Sequence, residues 1–270
     1  MGNVVFKYGT LIRMGAKSYS GGKWDADLKE EVRNAHTNAD LCIQIRVHFA
    51  KIDPASGRTG LYGDWDDKPD HPSKRRIQKW APNEFEHFTG RLVREAQHFW
   101  NGVFWLQTPV RYTDLNWPDE KPTHRCNLYC RFELKKAHTD ADAHYTIAVV
   151  RVQDSDVFRS DAKLYSQKDI NSEQLIPHST VKFWTHFHEV GHLLGLGHIG
   201  YAGHHNLHND GSDRAYGVSQ QEMRDVMGKG HIRHPWHASP WQEAAESFTE
   251  IPAKDWTVHM HHIAPARLAA

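Results

Sequence analysis

Three things are scarce in this chain. It has no net charge, with 33 basic and 33 acidic side chains in 270 residues, only three cysteines, and no apolar run near the ~18 residues of a membrane-spanning helix. Balanced charge leaves no broad basic surface for nucleic acid or anionic lipid, both of which need a clustered basic excess. Three cysteines (Cys42, Cys126, Cys130) do not make the framework of a disulfide-stapled secreted scaffold. Cys126 and Cys130, four apart in a strand-like stretch, read as small packed side chains rather than a bridge or a metal pair. The opening stretch through Gly22 has no apolar block of signal-peptide length, because Lys7, Arg13 and several glycines interrupt it. Gly2 does not complete a myristoylation motif, since Phe6 stands where that motif wants Ser or Thr.

What is present is a core and an excess of histidine. With 39% apolar and 11% aromatic residues the chain can bury a sizeable interior, which excludes disorder as its main state. Fourteen of the 22 histidines fall between His178 and His262, so whatever they do is concentrated in the last third.

Residues 1–40 mix glycine and charge without clear period and are expected to be an irregular lead-in. Leu41 to Phe49 alternates apolar and polar residues and predicts a strand; Asp53 to Arg76, rich in Gly, Asp, Pro and Lys, predicts an exposed loop. Phe85, Phe88, Leu92, Ala96 and Phe99 then recur at three or four residues, the stripe of an amphipathic helix, with Asn83 and Glu86 as a capping-box-like start and Gly102 as a stop. Strands are expected at Phe104 to Tyr112, Leu128 to Leu134 and Tyr145 to Val152. A second helix, capped by Ser179 or Thr180, should run to Gly195, and Ser239-Pro240 should open a short one through Phe248. His259 and His261 point the same way in a short tail strand.

The second helix carries His188-Glu189-Val190-Gly191-His192, followed by Gly195 and His198. Residues four apart share a helix face, so His188 and His192 can aim two imidazoles at one point, the geometry of two tetrahedral zinc ligands. Glu189 is rotated by about 100 degrees, which places its carboxylate beside the metal to bond a water. Gly195 ends the helix by taking a left-handed backbone, and the reversed chain returns His198 to the same metal. A histidine-rich chain of this composition yields the bare five-residue pattern about 0.09 times by chance, but the long form with its glycine and third histidine only about once in two thousand chains. Chance is therefore a poor account of it.

On these residues the sequence resembles the metzincins, zinc endopeptidases marked by the long His-Glu motif and a methionine turn. Asp225-Val226-Met227-Gly228-Lys229-Gly230 supplies the second mark, 29 residues after His198 at Met227, and is similar to the turn of gametolysin-like members. The resemblance covers roughly Ser179 to Gly230. It implies an α+β fold: a twisted mixed sheet with a backing helix and an active-site helix over 41–198, then an irregular C-terminal subdomain with the turn over 199–270. It also implies that Met227 underlies the three histidines without ligating. The sequence departs from the family in three respects. Lys229 stands where some members carry a tyrosine two residues after the methionine, Ile199 follows His198 where several carry a polar residue, and no cysteine-switch segment is recognisable.

One catalytic zinc ion on His188, His192 and His198 is implied, with Glu189 as the general base for water attacking a peptide carbonyl. Tyr216, Lys229, His231 and His234 are the residues considered for the oxyanion or substrate. A second metal is not favoured: His204, His205 and His208 with Asn209 to Asp213, and His138, Asp140, Asp142 and His144, each read better as solvated polar turns. The expected partner is a protein or peptide in extended form; exopeptidase or small-amide chemistry and a non-catalytic zinc-stabilised binding module remain open as alternatives. Export as an injected bacterial effector resembling metallopeptidase toxins, with a secretion-apparatus or immunity partner, accounts for the missing signal, as does a mature fragment whose leader was removed; otherwise the location is cytoplasmic. Acidification toward about pH 5 should protonate the ligands and release the metal.

Overall fold

The computed structural model describes residues 11–14, 24–34, 37–62, 75–108, 127–153, 158, 160–170, 173–175, 182–199, 216–217, 219–249 and 251–260. Three strands open the chain: β1 (Leu11–Met14), β2 (Trp24–Asn34) and β3 (Thr37–Lys51). The stretch 1–40, expected to be irregular, thus carries two strands and the start of a third. Its alternation of Trp24, Ala26 and Leu28 with Asp25 and Asp27 is too short and too charged to stand out locally, and antiparallel pairing of β2 with β3 stabilises it.

β3 is the spine. Ala39, Leu41, Ile43, Ile45 and Val47 are fully buried on one face, while Cys42, Gln44, Arg46 and His48 alternate with them on the other. Over Ala39–Val47 it runs parallel to β7 (Asn127–Lys136), and over Val47–Lys51 parallel to β8 (Tyr145–Val152). With β1, β2, β4 (Thr59–Tyr62), β5 (Arg75–Gln78), β6 (Phe104–Gln107), β9 (Leu164–Ser166) and β12 (Thr257–Met260) they form a mixed ten-stranded sheet among the described residues, its main path ordered β12-β6-β7-β3-β8-β5-β4. β9 pairs in parallel with β8. A hairpin of β10 (Glu173–Leu175) and β11 (Lys182–Trp184) stands apart from it.

A parallel connection needs a crossover, and α1 (Glu84–Trp100) lies in the one between β3 and β7. It buries Phe88, Leu92, Ala96 and Trp100 in the same core as β3's inner row, α2 (Thr185–Leu194) and α4 (Ser239–Thr249). A one-turn helix, α3 (Gln220–Arg224), precedes the methionine turn. The chain is therefore an α+β protein with a mixed sheet, as expected, and β8 falls on the expected residues.

Three local expectations are corrected. The long polar loop contains β4, and its last residues begin β5. Asn83 does precede α1, but with a left-handed backbone (φ 62°) and no side-chain cap; Glu84 Oε2 accepts from Ala81 N instead. A true capping box forms elsewhere, between Ser219 and Glu222 at α3. The second helix begins at Thr185, because Phe183 and Trp184 belong to β11, where the backbone is paired before the helix starts; Ser179 and Thr180 lie outside the described residues. The strand at Phe104 is described as far as Gln107, Cys126 lies outside the described residues, and Cys130 is a buried thiol that burial, reinforced by Asp40, pushes well above its ordinary range.

Candidate metal centre

α2 is buried on nearly every side, so its orientation is fixed by what it packs against. From α1, Trp100 Nε1 donates to Phe187 O at 3.1 Å and Phe99 stacks on Phe187 with centroids 4.1 Å apart. His186 bridges in two directions: its Nδ1 donates to Asp169 O at 3.1 Å, and its Nε2 lies 3.3 Å from Glu95 Oε2 on α1. Tyr145 Oη, from β8, donates to Leu193 O at 2.9 Å. Sheet, backing helix and the turn at 167–170 thus all hold the helix that carries the motif.

Gly195 closes α2 with φ 101°, a conformation that glycine adopts without a Cβ clash. Gly195 N donates to His192 O and Leu196 N to Gly191 O, both at 3.0 Å, the two bonds of a Schellman cap. This reversal brings His198 back. It also turns Leu196 O toward His192, whose Nδ1 donates to it at 2.8 Å.

The three Nε2 atoms of His188, His192 and His198 stand 3.1–3.2 Å from one another. His188 Nδ1 donates to Val226 O at 2.7 Å, so in both His188 and His192 the ring proton sits on Nδ1 and the Nε2 lone pair faces inward. Converging lone pairs at that spacing repel unless a cation lies among them. The edge of a tetrahedron with metal–nitrogen bonds of about 2.0–2.1 Å is about 3.3 Å, close to what is seen. Burial pushes His192 below its ordinary range, which favours the neutral form that a ligand needs. The three residues are therefore able to hold a metal ion.

Met227 packs against α2 at Gly191. It is fully buried, and a Cβ placed on Gly191 would collide with its Sδ while lying 3.2 Å from its Cε and 3.3 Å from Trp100 Cζ2. The turn is tight because Asp225 O accepts from both Gly228 N and Gly230 N at 2.9 Å, and Val226 N donates to Ile232 O at 2.9 Å. Gly228 has a packing reason: a Cβ there would lie 2.7 Å from Tyr216 O. Its absence lets the Tyr216 segment pass against the turn, and the Tyr216 ring reaches 4.2 Å from His198 and 5.6 Å from His188, centroid to centroid.

Of the four residues considered for the oxyanion, the structure brings Tyr216 against the triad. Lys229 Nζ sits 5.7 Å from the Tyr216 ring centroid on a cation–π contact. His234 Nε2 is engaged 3.8 Å from Asp225 Oδ2, and His231 is half-buried at the exit of the turn. Glu189, 6% exposed, follows the first ligand on the helix. Burial pushes the Tyr165 phenol well above its ordinary range, and the negative charge of the Glu189 carboxylate raises it further.

Sequence reasoning missed Phe183, edge-on to His188 at 5.3 Å, and the Glu95–His186 contact. It also missed the pairing of Asp225 with His237, whose signal was only a polar residue beside the methionine and one histidine among many. His204, His205, His208 and Asn209 to Asp213 lie outside the described residues. His144 is taken up by the sheet, with Nδ1 accepting from Arg46 N at 3.1 Å and Nε2 3.5 Å from Asp25 Oδ1, while Asp140 and Asp142 accept from Thr146 and Thr139. Those side chains make the polar turn that was expected of them. His259 is exposed on β12, where its Nε2 lies 3.2 Å from Gln107 Oε1, and His261 and His262 lie outside the described residues.

Comparison with protein-family models, with curated proteins and with solved structures found no match.

Proposed function

We propose that the chain is a zinc endopeptidase of the metzincin type. The observation that carries this is the convergence of His188, His192 and His198 Nε2 within 3.2 Å, with Glu189 immediately following the first of them on the same buried helix. Met227 beneath Gly191 and the reversal at Gly195 agree with it. A purely structural centre has no use for a carboxylate beside its ligands, which favours a catalytic reading over a binding module.

A zinc ion bound there supplies Lewis acidity, polarising a carbonyl oxygen and acidifying water within its reach. The chain's own groups do the rest. His188 and His192 keep bare Nε2 atoms because Val226 O and Leu196 O hold their Nδ1 protons. Glu189 accepts the proton of the attacking water on a carboxylate oxygen and returns it to the leaving nitrogen. Tyr216, its ring against His198, is the residue proposed to face the developing oxyanion, with the Lys229 ammonium behind it adding positive potential. A substrate strand in extended form would lie along a sheet edge beside α2.

The test is a metal assay joined to a substrate panel. One zinc per chain and chelator-sensitive cleavage of internal bonds in end-blocked peptides are expected. Cleavage confined to free-ended peptides would assign an exopeptidase instead, and zinc without turnover a structural module.

A further inference from the structure

A second buried polar assembly lies under the methionine turn. Asp225 and His237 are both fully buried. His237 Nδ1 accepts from His234 N at 2.7 Å, so its proton sits on Nε2, which donates to Asp225 Oδ1 at 3.0 Å. The same Oδ1 accepts from Met227 N at 2.6 Å. Burial pushes His237 below its ordinary range, in keeping with a neutral donor, and the Trp236 ring packs against it, tilted by 39° at 3.7 Å, while Trp100 meets it edge-on at 5.8 Å.

Between the two bonded residues stands Val226. Its N–H is taken by Ile232 O, and its carbonyl receives the Nδ1 proton of His188. Residues 225, 226 and 227 are therefore each pinned by a separate bond, and the middle one touches a member of the triad. Closing a turn does not require this arrangement, because a neutral Asn or Ser would cap Met227 N as well. Burying a carboxylate is costly unless it is well compensated. What the carboxylate adds over a neutral cap is a stronger bond to Met227 N and negative potential one peptide unit from the Val226 carbonyl.

We propose that Asp225 and His237 are a positioning pair for the metal centre: they fix the turn so that Val226 O meets His188 Nδ1–H, setting the tautomer and basicity of the His188 Nε2 donor. This rests on the triad as a metal site and not on peptidase activity. Outer partners of imidazole ligands change metal affinity by about 10–100-fold when removed.

The experiment measures Zn2+ affinity of the full chain at one pH by competition with a chromophoric chelator, and the visible absorption of the Co2+ form. Asp225→Ala and His237→Leu should weaken Zn2+ binding about 10–100-fold and shift the Co2+ bands. His237→Gln, whose amide nitrogen stands in for Nε2, should recover most of the affinity. Phe248→Leu, in the core of α4, should lower the melting temperature and leave affinity unchanged, which separates positioning from general stability. Folded Asp225→Ala and His237→Leu chains that bind Zn2+ within twofold of the parent overturn the proposal. If neither folds, Asp225→Asn decides, since it keeps the shape and removes the charge: a several-fold loss supports the proposal and parental affinity overturns it. A parent chain that takes up no Zn2+ overturns the metal reading itself and this pair's role with it.

Discussion

Gly191 and Met227 share one contact surface: the space left by the missing Cβ of the helix glycine is filled by the methionine sulfur. Helix propensity alone favours Ala over Gly by about 1 kcal/mol, so Gly191→Ala would stabilise an open helix face. Here overpacking, typically about 1–3 kcal/mol, opposes and exceeds that gain. The melting temperature should fall by several degrees in Gly191→Ala, whereas the same change made in a Met227→Ala background, where the sulfur no longer occupies the space, should cost little or stabilise. Simple additivity in the thermal double-mutant cycle would show that the two side chains do not compete for this space.

Glu189→Gln keeps the size and hydrogen-bonding reach of the side chain and removes its ability to accept a proton. Peptide cleavage should drop at least about 100-fold in kcat/KM. Zinc content measured on the same preparation should stay at the parental level, because Glu189 is not one of the three ligand residues. Parental turnover in the variant would exclude Glu189 as the base.

Binding to the native triad stabilises the fold by mass action, by about 2.7 kcal/mol at a free metal concentration a hundred times Kd. For a chain of this size that is a rise of about 5–10 °C in melting temperature. Chelator should reverse it, and His198→Ala should abolish it, as read by calorimetry with and without Zn2+. A thermal shift that survives His198→Ala would move the metal elsewhere.

Asp169 predicts a pH dependence of the apo fold. Burial raises its carboxyl from 3.8 to about 7, against the opposing bonds from Ser160 Oγ at 2.6 Å and Ser166 N at 2.7 Å. Because the folded-state value is the higher one, its contribution to stability is full below about pH 4 and is lost as pH rises through about 7, a change on the order of 4 kcal/mol. Asp169→Asn, which retains an acceptor for both bonds, should raise urea stability by clearly less at pH 5 than at pH 8, with chelator present. A gain at pH 5 equal to that at pH 8 would contradict the assignment.

The convergence of the three histidines was legible because their spacing is a backbone property: four residues on a helix and one glycine reversal determine where three imidazoles point. The strands at β7 and β8 were legible for the same reason, through period two. What escaped is non-local. β2 is held by its pairing with β3, and Asp27 or Lys29 says nothing of it in isolation. Phe183 reads as helix by its apolar spacing, yet pairing with Gln174 makes it strand. Asp225 and His237 are ordinary polar residues in the sequence and become a pair only once a 3-10 turn at Pro235–Ala238 folds back on the methionine turn. Tyr216 was one of four residues considered, and the space above Gly228 sets it apart.

The spine strand also imposes an order on synthesis. β3 leaves the ribosome early, but the neighbours that run parallel to it begin at Asn127 and Tyr145. Until Lys136 has emerged, the nascent chain holds an apolar row from Leu41 to Phe49 with the edge that β7 covers unpaired, the situation that invites association between neighbouring chains. The histidine triad and the methionine turn come later still, so the protein passes through its most vulnerable stage before any metal ligand exists. Zinc added during translation therefore cannot rescue the early stage, whereas slower elongation or a chaperone that shields exposed strands should raise the yield of soluble protein.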